Sequence, residues 1–185
     1  MTRPIVPHRS RTVFEGKIFA LSVESITLPS GDELNVELLH HPGSVVLIPL
    51  TDDGDIVLVH QYRHAIGRSA WELPAGSLKP GEKPEVAAVR ECYEEIGLIP
   101  SAVEHLGVFF PTPGYSDEKM AFYRATNLRQ PTDDDPPAIQ DDDEDIESRA
   151  FSVDAIWEMV VSGEMEDLKT VAALKLIAKK EKGGL

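Results

Sequence analysis

Five side chains between Glu82 and Glu95 have the types and spacing to do chemistry together: Glu82, Arg90, Glu91, Glu94 and Glu95. On a helix turning about 100° per residue, Glu91 and Glu95 lie about 40° apart, with Glu94 about 60° to the other side of Glu91. Three carboxylates therefore crowd one arc of roughly 100°. Like charges at this spacing repel, and carboxylates that share a site resist ionising together. A hard divalent cation reverses the sign of that interaction, and magnesium takes oxygen ligands. Arg90 stands beside the cluster, placed to orient one of the carboxylates, although its i,i+4 relation to Glu94 also suits a surface ion pair.

Such side chains need a helix that begins behind a rigid loop. Gly76-Ser77-Leu78-Lys79-Pro80-Gly81-Glu82 is a loop punctuated by Gly and Pro, Pro84 suits a first helical turn, and Ala87, Ala88 and Val89 favour or tolerate helix. Gly97 ends it. Before the loop, Ile18 to Leu28 alternates as a strand does, Leu28-Pro29-Ser30-Gly31-Asp32 is turn chemistry, and a second strand runs through Leu34, Val36 and Leu38. Val45 to Leu50 is a continuous apolar run, as in a strand covered on both faces. The turn Asp52-Asp53-Gly54-Asp55 followed by the strand Ile56 to Tyr62 predicts that these two strands form a hairpin.

After the helix, strands are predicted at Val103 to Phe110, Met120 to Thr126 and Ile146 to Phe151. Helical periodicity then places Val153, Ile156, Trp157 and Val160 on one face, and Leu168, Val171, Leu174 and Ile177 on another. Strands with flanking helices predict an α/β sandwich around a mixed sheet. The acid-rich stretch Pro131 to Glu147 reads as a solvated loop.

Composition narrows the function. The 185 residues suit one domain with a proper core. No apolar run approaches the roughly 20 residues of a membrane span, and the N-terminus lacks the apolar stretch of a signal peptide, so the expected location is cytoplasmic. The single cysteine, Cys92, excludes an internal disulfide. A net charge of −14 argues against a surface that tracks nucleic acid. It would also repel an anionic phosphate ester unless cations intervened.

Gly76, Glu82, Arg90, Glu91, Glu94, Glu95 and Gly97, with apolar-type residues at Cys92 and Leu98, fill the fixed positions of a pattern that resembles the Nudix box. The resemblance implies an α/β/α sandwich whose loop–helix–loop presents magnesium, or manganese in its place, to a diphosphate. It matches Glu91 and Glu95 to the principal metal ligands, the carbonyl of Ala75 to a further ligand, and Glu94 and Glu82 to supporting or second-metal carboxylates. The flanks are similar to those of the ADP-ribose pyrophosphatase and nucleotide-sugar diphosphatase branch: Val13-Phe14-Glu15-Gly16-Lys17-Ile18-Phe19, His41-Pro42-Gly43-Ser44-Val45, Gln61-Tyr62-Arg63, Trp71-Glu72-Leu73-Pro74-Ala75-Gly76, and Pro113 within Pro111-Thr112-Pro113-Gly114-Tyr115-Ser116-Asp117-Glu118.

By that resemblance Arg63 holds a substrate phosphate, and Ser116 and Glu118 contact a terminal ribose. Phe19 or Phe14 stacks on adenine, and Asp142, Asp143 or Glu144 is the general base. The branch usually uses glutamate as base, so an aspartate there reaches one methylene less far. Asn35-Val36-Glu37-Leu38 also lacks an arginine that related sequences often carry for substrate binding. The implied organisation is an N-terminal strand region, residues 1–42, serving dimerisation and substrate binding, followed by the hydrolase domain, residues 43–185. A homodimer with exchanged N-terminal strands is expected. The implied reaction is hydrolysis of ADP-ribose to AMP and ribose 5-phosphate, with other ADP-sugars or GDP-mannose as a broader alternative. A catalytically silent nucleotide sensor and an RNA-end hydrolase fit less well, because the box is intact and the chain lacks basic stripes.

Overall fold

The computed structural model describes residues 4–138 and 146–181. Three strands, β1 (Arg9–Glu15), β2 (Ala20–Thr27) and β3 (Glu33–His40), form an antiparallel sheet in that order. The turn joining β2 to β3 falls where its residues predict it: the Gly31 N–H donates to the Leu28 carbonyl at 2.8 Å, and Gly31 takes the left-handed φ of 95° that glycine tolerates.

The rest of the chain runs through β4 (Ser44–Pro49), β5 (Ile56–Arg63), β6 (Arg68–Glu72), β7 (Ala75–Ser77), α1 (Pro84–Ile96), β8 (Ile99–Phe109), β9 (Met120–Arg129), β10 (Glu147–Phe151), α2 (Val153–Ser162) and α3 (Leu168–Glu181). One sheet has the order β7-β4-β9-β8 and is mixed, since β4 and β9 are parallel while the other pairs are antiparallel. The other, β10-β5-β6, is antiparallel.

The hairpin expected of β4 and β5 does not form. Among the described residues their pairing is a single bridge between Leu50 and Ile56. Both edges of β4 are taken by β7 and β9, and both edges of β5 by β10 and β6. The short turn therefore carries the chain from one sheet into the next. The continuous burial of Ser44–Pro49 shows why: a strand covered on both faces draws its neighbours from distant parts of the chain.

Alternate residues of β4 serve two cores. Val46 and Ile48 join Leu58, Phe122, Ile156 and Leu174 on the side of α2 and α3, whereas Val45 and Leu47 join Val59, Ala88, Cys92 and Ile96 on the side of α1. The sheets thus lie between α1 and the C-terminal helices, an α/β/α sandwich preceded by the antiparallel β1–β3 sheet. Two side chains differ from the helical faces expected of them. Trp157 is 42% and Leu168 70% exposed. The inward stripe of α2 centres on Ile156 and Met159, which turns Trp157 to the flank, and Leu168 opens the first turn of α3, ahead of the buried Thr170, Ala173 and Leu174. Among the described residues no helix is long and apolar enough to cross a membrane.

Candidate functional site

Helix α1 starts on Pro84 and stops where Gly97, at φ 71°, donates its N–H to the Tyr93 carbonyl. Packing of Ala87, Ala88, Cys92 and Ile96 onto the sheet fixes the rotation of the helix. That rotation buries Glu91 and Glu95, 8% and 5% exposed, at the edge of the apolar face. Cys92, between them, has its thiol pushed up to about 12 by burial and by the neighbouring Glu95 carboxylate, which leaves it neutral and unreactive at physiological pH.

The strand facing these carboxylates is β7, and its sequence permits the close approach. A Cβ at Gly76 would lie 2.0 Å from the Glu91 carboxyl group, so any larger residue there would push that carboxyl group out of its place. Ala75 donates its N–H to both oxygens of Glu95 at 3.3 Å. Its neighbour Gly76 is the residue opposite Val45 in the antiparallel pair, and the Pro74 carbonyl accepts from Leu47. The alternation of such a ladder turns the N–H and carbonyl of Ala75 to the same side, away from β4 and toward α1.

Arg90 organises the remaining carboxylates. Its Nε and Nη2 grip Glu82 at 2.8 Å each, and its Nη1 donates to Glu91 at 2.6 Å and Glu94 at 2.7 Å. The hydrogen bonds to Glu82 raise the guanidinium above its already high ordinary value, against its burial. In return, the Arg90 hydrogen bonds hold Glu82 below the usual carboxylate range. The Lys79 N–H also donates to Glu82, tying the loop to the helix. Glu82, Glu91, Glu94, Glu95 and Ala75, singled out by sequence, are thus brought to one place.

Among the described residues no group of three His, Cys, Asp or Glu side chains is arranged to hold a metal ion unaided. The arrangement is instead two buried carboxylates beside a main-chain carbonyl. That suits magnesium, which is commonly held by one or two carboxylates and completed by water and substrate phosphates.

A second charged group lies behind Ala75 in the chain. Glu72, 5% exposed, accepts from Arg63 Nε at 2.7 Å through one oxygen and from Lys169 Nζ through the other. Burial alone would raise the Glu72 pKa, but Arg63 and Lys169 outweigh it and hold the carboxyl below its ordinary value. Lys169 also pairs with Asp167 at 3.0 Å. Asp167 accepts the Thr170 N–H at the start of α3, and the buried Thr170 Oγ1 accepts the Leu73 N–H at 2.9 Å. Sequence reasoning quoted Glu72 but gave it no role, and it missed Lys169, Asp167 and Thr170. The available signal was a lone carboxylate in the apolar run Trp71–Pro74 and a capping Asp at the head of a helix.

Ser116 and Glu118 sit where β3 meets the segment before β9. Leu39 bridges Ser116, the Glu118 N–H donates to Ser116 Oγ at 3.2 Å, and Glu118 accepts from Ser44 Oγ at 2.8 Å. A cleft of about 330 Å³ opens there, lined by His41, Ser44, Leu78, Asp117 and Lys119 among others. Phe19 belongs to the N-terminal sheet region and packs against Phe14, with ring centroids 5.8 Å apart. Both rings are more than a third exposed. Among the described residues no hydrogen bond, ion pair or ring contact joins them to the box. Asp142, Asp143 and Glu144 lie outside the described residues.

Residues 40–174 match the model of the NUDIX domain. The sequence is 34% identical over 169 residues to an ADP-ribose pyrophosphatase of Bacillus subtilis (strain 168), covering 91% of this chain and 90% of that protein. It is 33% identical over 173 residues to a methanol dehydrogenase activator of Bacillus methanolicus, covering 94% and 92%. Over 122 residues it is 43% identical to an ADP-ribose pyrophosphatase of Mycobacterium tuberculosis (strain ATCC 25618 / H37Rv), covering 65% and 59%. The crystal structure of an ADP compounds hydrolase superposes with a TM-score of 0.80 at 20% identity, covering 100% of this chain and 99% of the other; this shows the shared fold.

Proposed function

The chain belongs to the NUDIX family and is a Nudix hydrolase similar to ADP-ribose pyrophosphatases, and from that premise we propose that it cleaves ADP-ribose to AMP and ribose 5-phosphate. The observation that carries the reading is the burial of the Glu91 and Glu95 carboxylates side by side against the Ala75–Gly76 strand, Glu91 over Gly76 and Glu95 on the Ala75 N–H. Glu91, Glu95 and the Ala75 carbonyl would hold magnesium, with Glu94 and Glu82 in support. When bound, the cation neutralises the diphosphate and stabilises charge on the departing phosphate.

The chain's own residues do the rest. Arg90 fixes the orientation of Glu91 and Glu94 through its guanidinium. Arg63, about half exposed and electrostatically coupled to Glu95, holds a phosphate oxygen of the substrate. A carboxylate of the acidic loop, Asp142, Asp143 or Glu144, accepts a proton as water attacks phosphorus, while the bridging P–O bond breaks. Ser116 and Glu118 contact the terminal ribose, and Phe19 offers a face to adenine. β1 is exposed along its whole length, which suits a homodimer in which a second copy covers it.

Two observations favour a broader range. A relative of nearly equal identity is named for activating methanol dehydrogenase, and the stretch Asn35-Val36-Glu37-Leu38 of β3 lacks the arginine that related sequences often carry for substrate binding. ADP-glucose and ADP-mannose are therefore expected as additional substrates. The test is kcat/KM with magnesium for ADP-ribose, ADP-glucose, GDP-mannose and a nucleoside triphosphate, with light scattering on the same preparation reading the oligomer. ADP-ribose should lead. A triphosphate preferred by about tenfold, near 1.4 kcal/mol of transition-state stabilisation, would overturn the substrate reading and leave the family intact.

A further inference from the structure

We infer that Glu72 and Lys169 are positioning residues that aim the Arg63 guanidinium at the substrate's diphosphate. The inference rests on the proposed diphosphatase reading and adds residues to which that reading gave no part. Its basis is geometric. In the β5–β6 ladder Arg63 faces Arg68 and Val59 faces Glu72, so the Gln61–Ala70 pair lies between Arg63 and Glu72 on the same face. About 13 Å of strand separates the two positions. Arg63 spans it along the sheet, its Nε meeting Glu72 at 2.7 Å.

The choice of nitrogen matters. Contact through Nε leaves Nη1 and Nη2, the planar fork that matches two phosphate oxygens. Among the described residues neither terminal nitrogen makes a hydrogen bond. The guanidinium is raised in pKa by Glu72 and Glu95 against its burial, so it lies within the field of the carboxylate that closes on Ala75.

Glu72 needs its own anchor to aim anything. A buried carboxylate with one partner would swing with it, but the second oxygen of Glu72 is taken by Lys169, which is itself 10% exposed and held by Asp167. Asp167 and Thr170 fasten this helix start to Leu73. The charges therefore alternate from Asp167 through Lys169 and Glu72 to Arg63. Lys169 determines where Glu72 sits, and Glu72 determines which edge of Arg63 faces outward.

The test is a double-mutant cycle on purified full-length protein, with ADP-ribose and magnesium, reading kcat and KM separately. Arg63→Ala should lower kcat/KM by about a hundredfold, Glu72→Gln by about tenfold and Lys169→Met by several-fold, mainly through KM. Lys169→Arg should restore most of that loss. If the residues act through Arg63, then adding Glu72→Gln or Lys169→Met to Arg63→Ala costs nothing further. Losses that add in the double variants overturn the inference. A thermal shift without any change in KM for Lys169→Met overturns it as well. A readout independent of turnover is the Arg63 Nε–H resonance, assigned by its absence in Arg63→Lys. It should be protected from exchange in the wild type and lose protection in Glu72→Gln and Lys169→Met; unchanged protection in both overturns the inference. A wild type inert on every diphosphate tested overturns the proposed function itself, a result distinct from additive losses in an active enzyme.

Discussion

Two charged groups flank the Ala75–Gly76 strand, and they are built on opposite plans. In front, Glu82, Glu91 and Glu94 all meet one guanidinium, Arg90, with Lys79 at 3.7 Å from Glu94, and Glu95 adds a further carboxylate. Behind, Asp167, Lys169, Glu72 and Arg63 alternate in sign. The first group is negative as a set and so suits a cation from solution. The second is balanced, and its terminal member presents a cationic fork outward. A diphosphate with its magnesium needs both: oxygen donors for the metal and a planar cation for the phosphate. With a net charge of −14 the protein's general field repels an anionic ligand, so attraction of the proposed diphosphate has to be local.

The comparison breaks most sharply at the acidic group. Glu95→Gln and Glu91→Gln should each lower kcat by about a thousandfold or more while circular dichroism and melting remain those of a folded protein. Chelation should abolish turnover, and magnesium or manganese should restore it. Near-wild-type rates in both variants would remove the acidic group from the chemistry.

That group was legible in the sequence because it is local. Glu91, Glu94 and Glu95 share a helix, so a period of 3.6 residues suffices to bring them together, and the Gly/Pro loop marks where the helix starts. The alternating group was not legible, for the same physical reason inverted. Glu72 reaches Arg63 across a hairpin, and Lys169 arrives from a helix 97 residues further along the chain. No periodicity encodes that meeting. The expected β4–β5 hairpin failed similarly: a short polar turn specifies that the chain reverses, not which strand fills each edge. Trp157 and Leu168 show the limit of helical faces, since apolar spacing leaves the rotation of the stripe undetermined by one position.

A smaller effect tests whether the chemistry needs an acidic member beyond these two groups. Asp142, Asp143 and Glu144, neutralised one at a time, separate a general base from a solvated loop. Loss of the base should cost about a hundredfold in kcat with little change in KM. Three single variants each within a few-fold of wild type would favour the solvated loop and return the proton to another acceptor. The triple neutralised variant then closes the case, because a neighbouring carboxylate can no longer substitute.

The smallest expected effect concerns stability against pH, where the two groups should behave alike despite their opposite plans. Glu72 is held below its ordinary value of 4.5 by Arg63 and Lys169 against its burial, and Glu82 is held below 4.5 by Arg90. A carboxylate whose pKa is depressed in the folded state stabilises the fold fully above its unfolded value. It loses that contribution as pH falls through the lower folded value. Each group should therefore add to the stability of the protein at neutral pH and contribute progressively less below 4.5. Denaturant midpoints of wild type, Glu72→Gln and Glu82→Gln, measured in steps from neutrality into acid, read this directly. The gap between wild type and each variant should be widest near neutrality and shrink below 4.5. The shrinkage should be larger for Glu72, which is buried and bound by two cations, than for Glu82, whose guanidinium is shared with Glu91 and Glu94. A gap that stays constant into acid would show that packing, not charge, accounts for the variant's loss, and would remove the electrostatic link between Lys169 and Arg63.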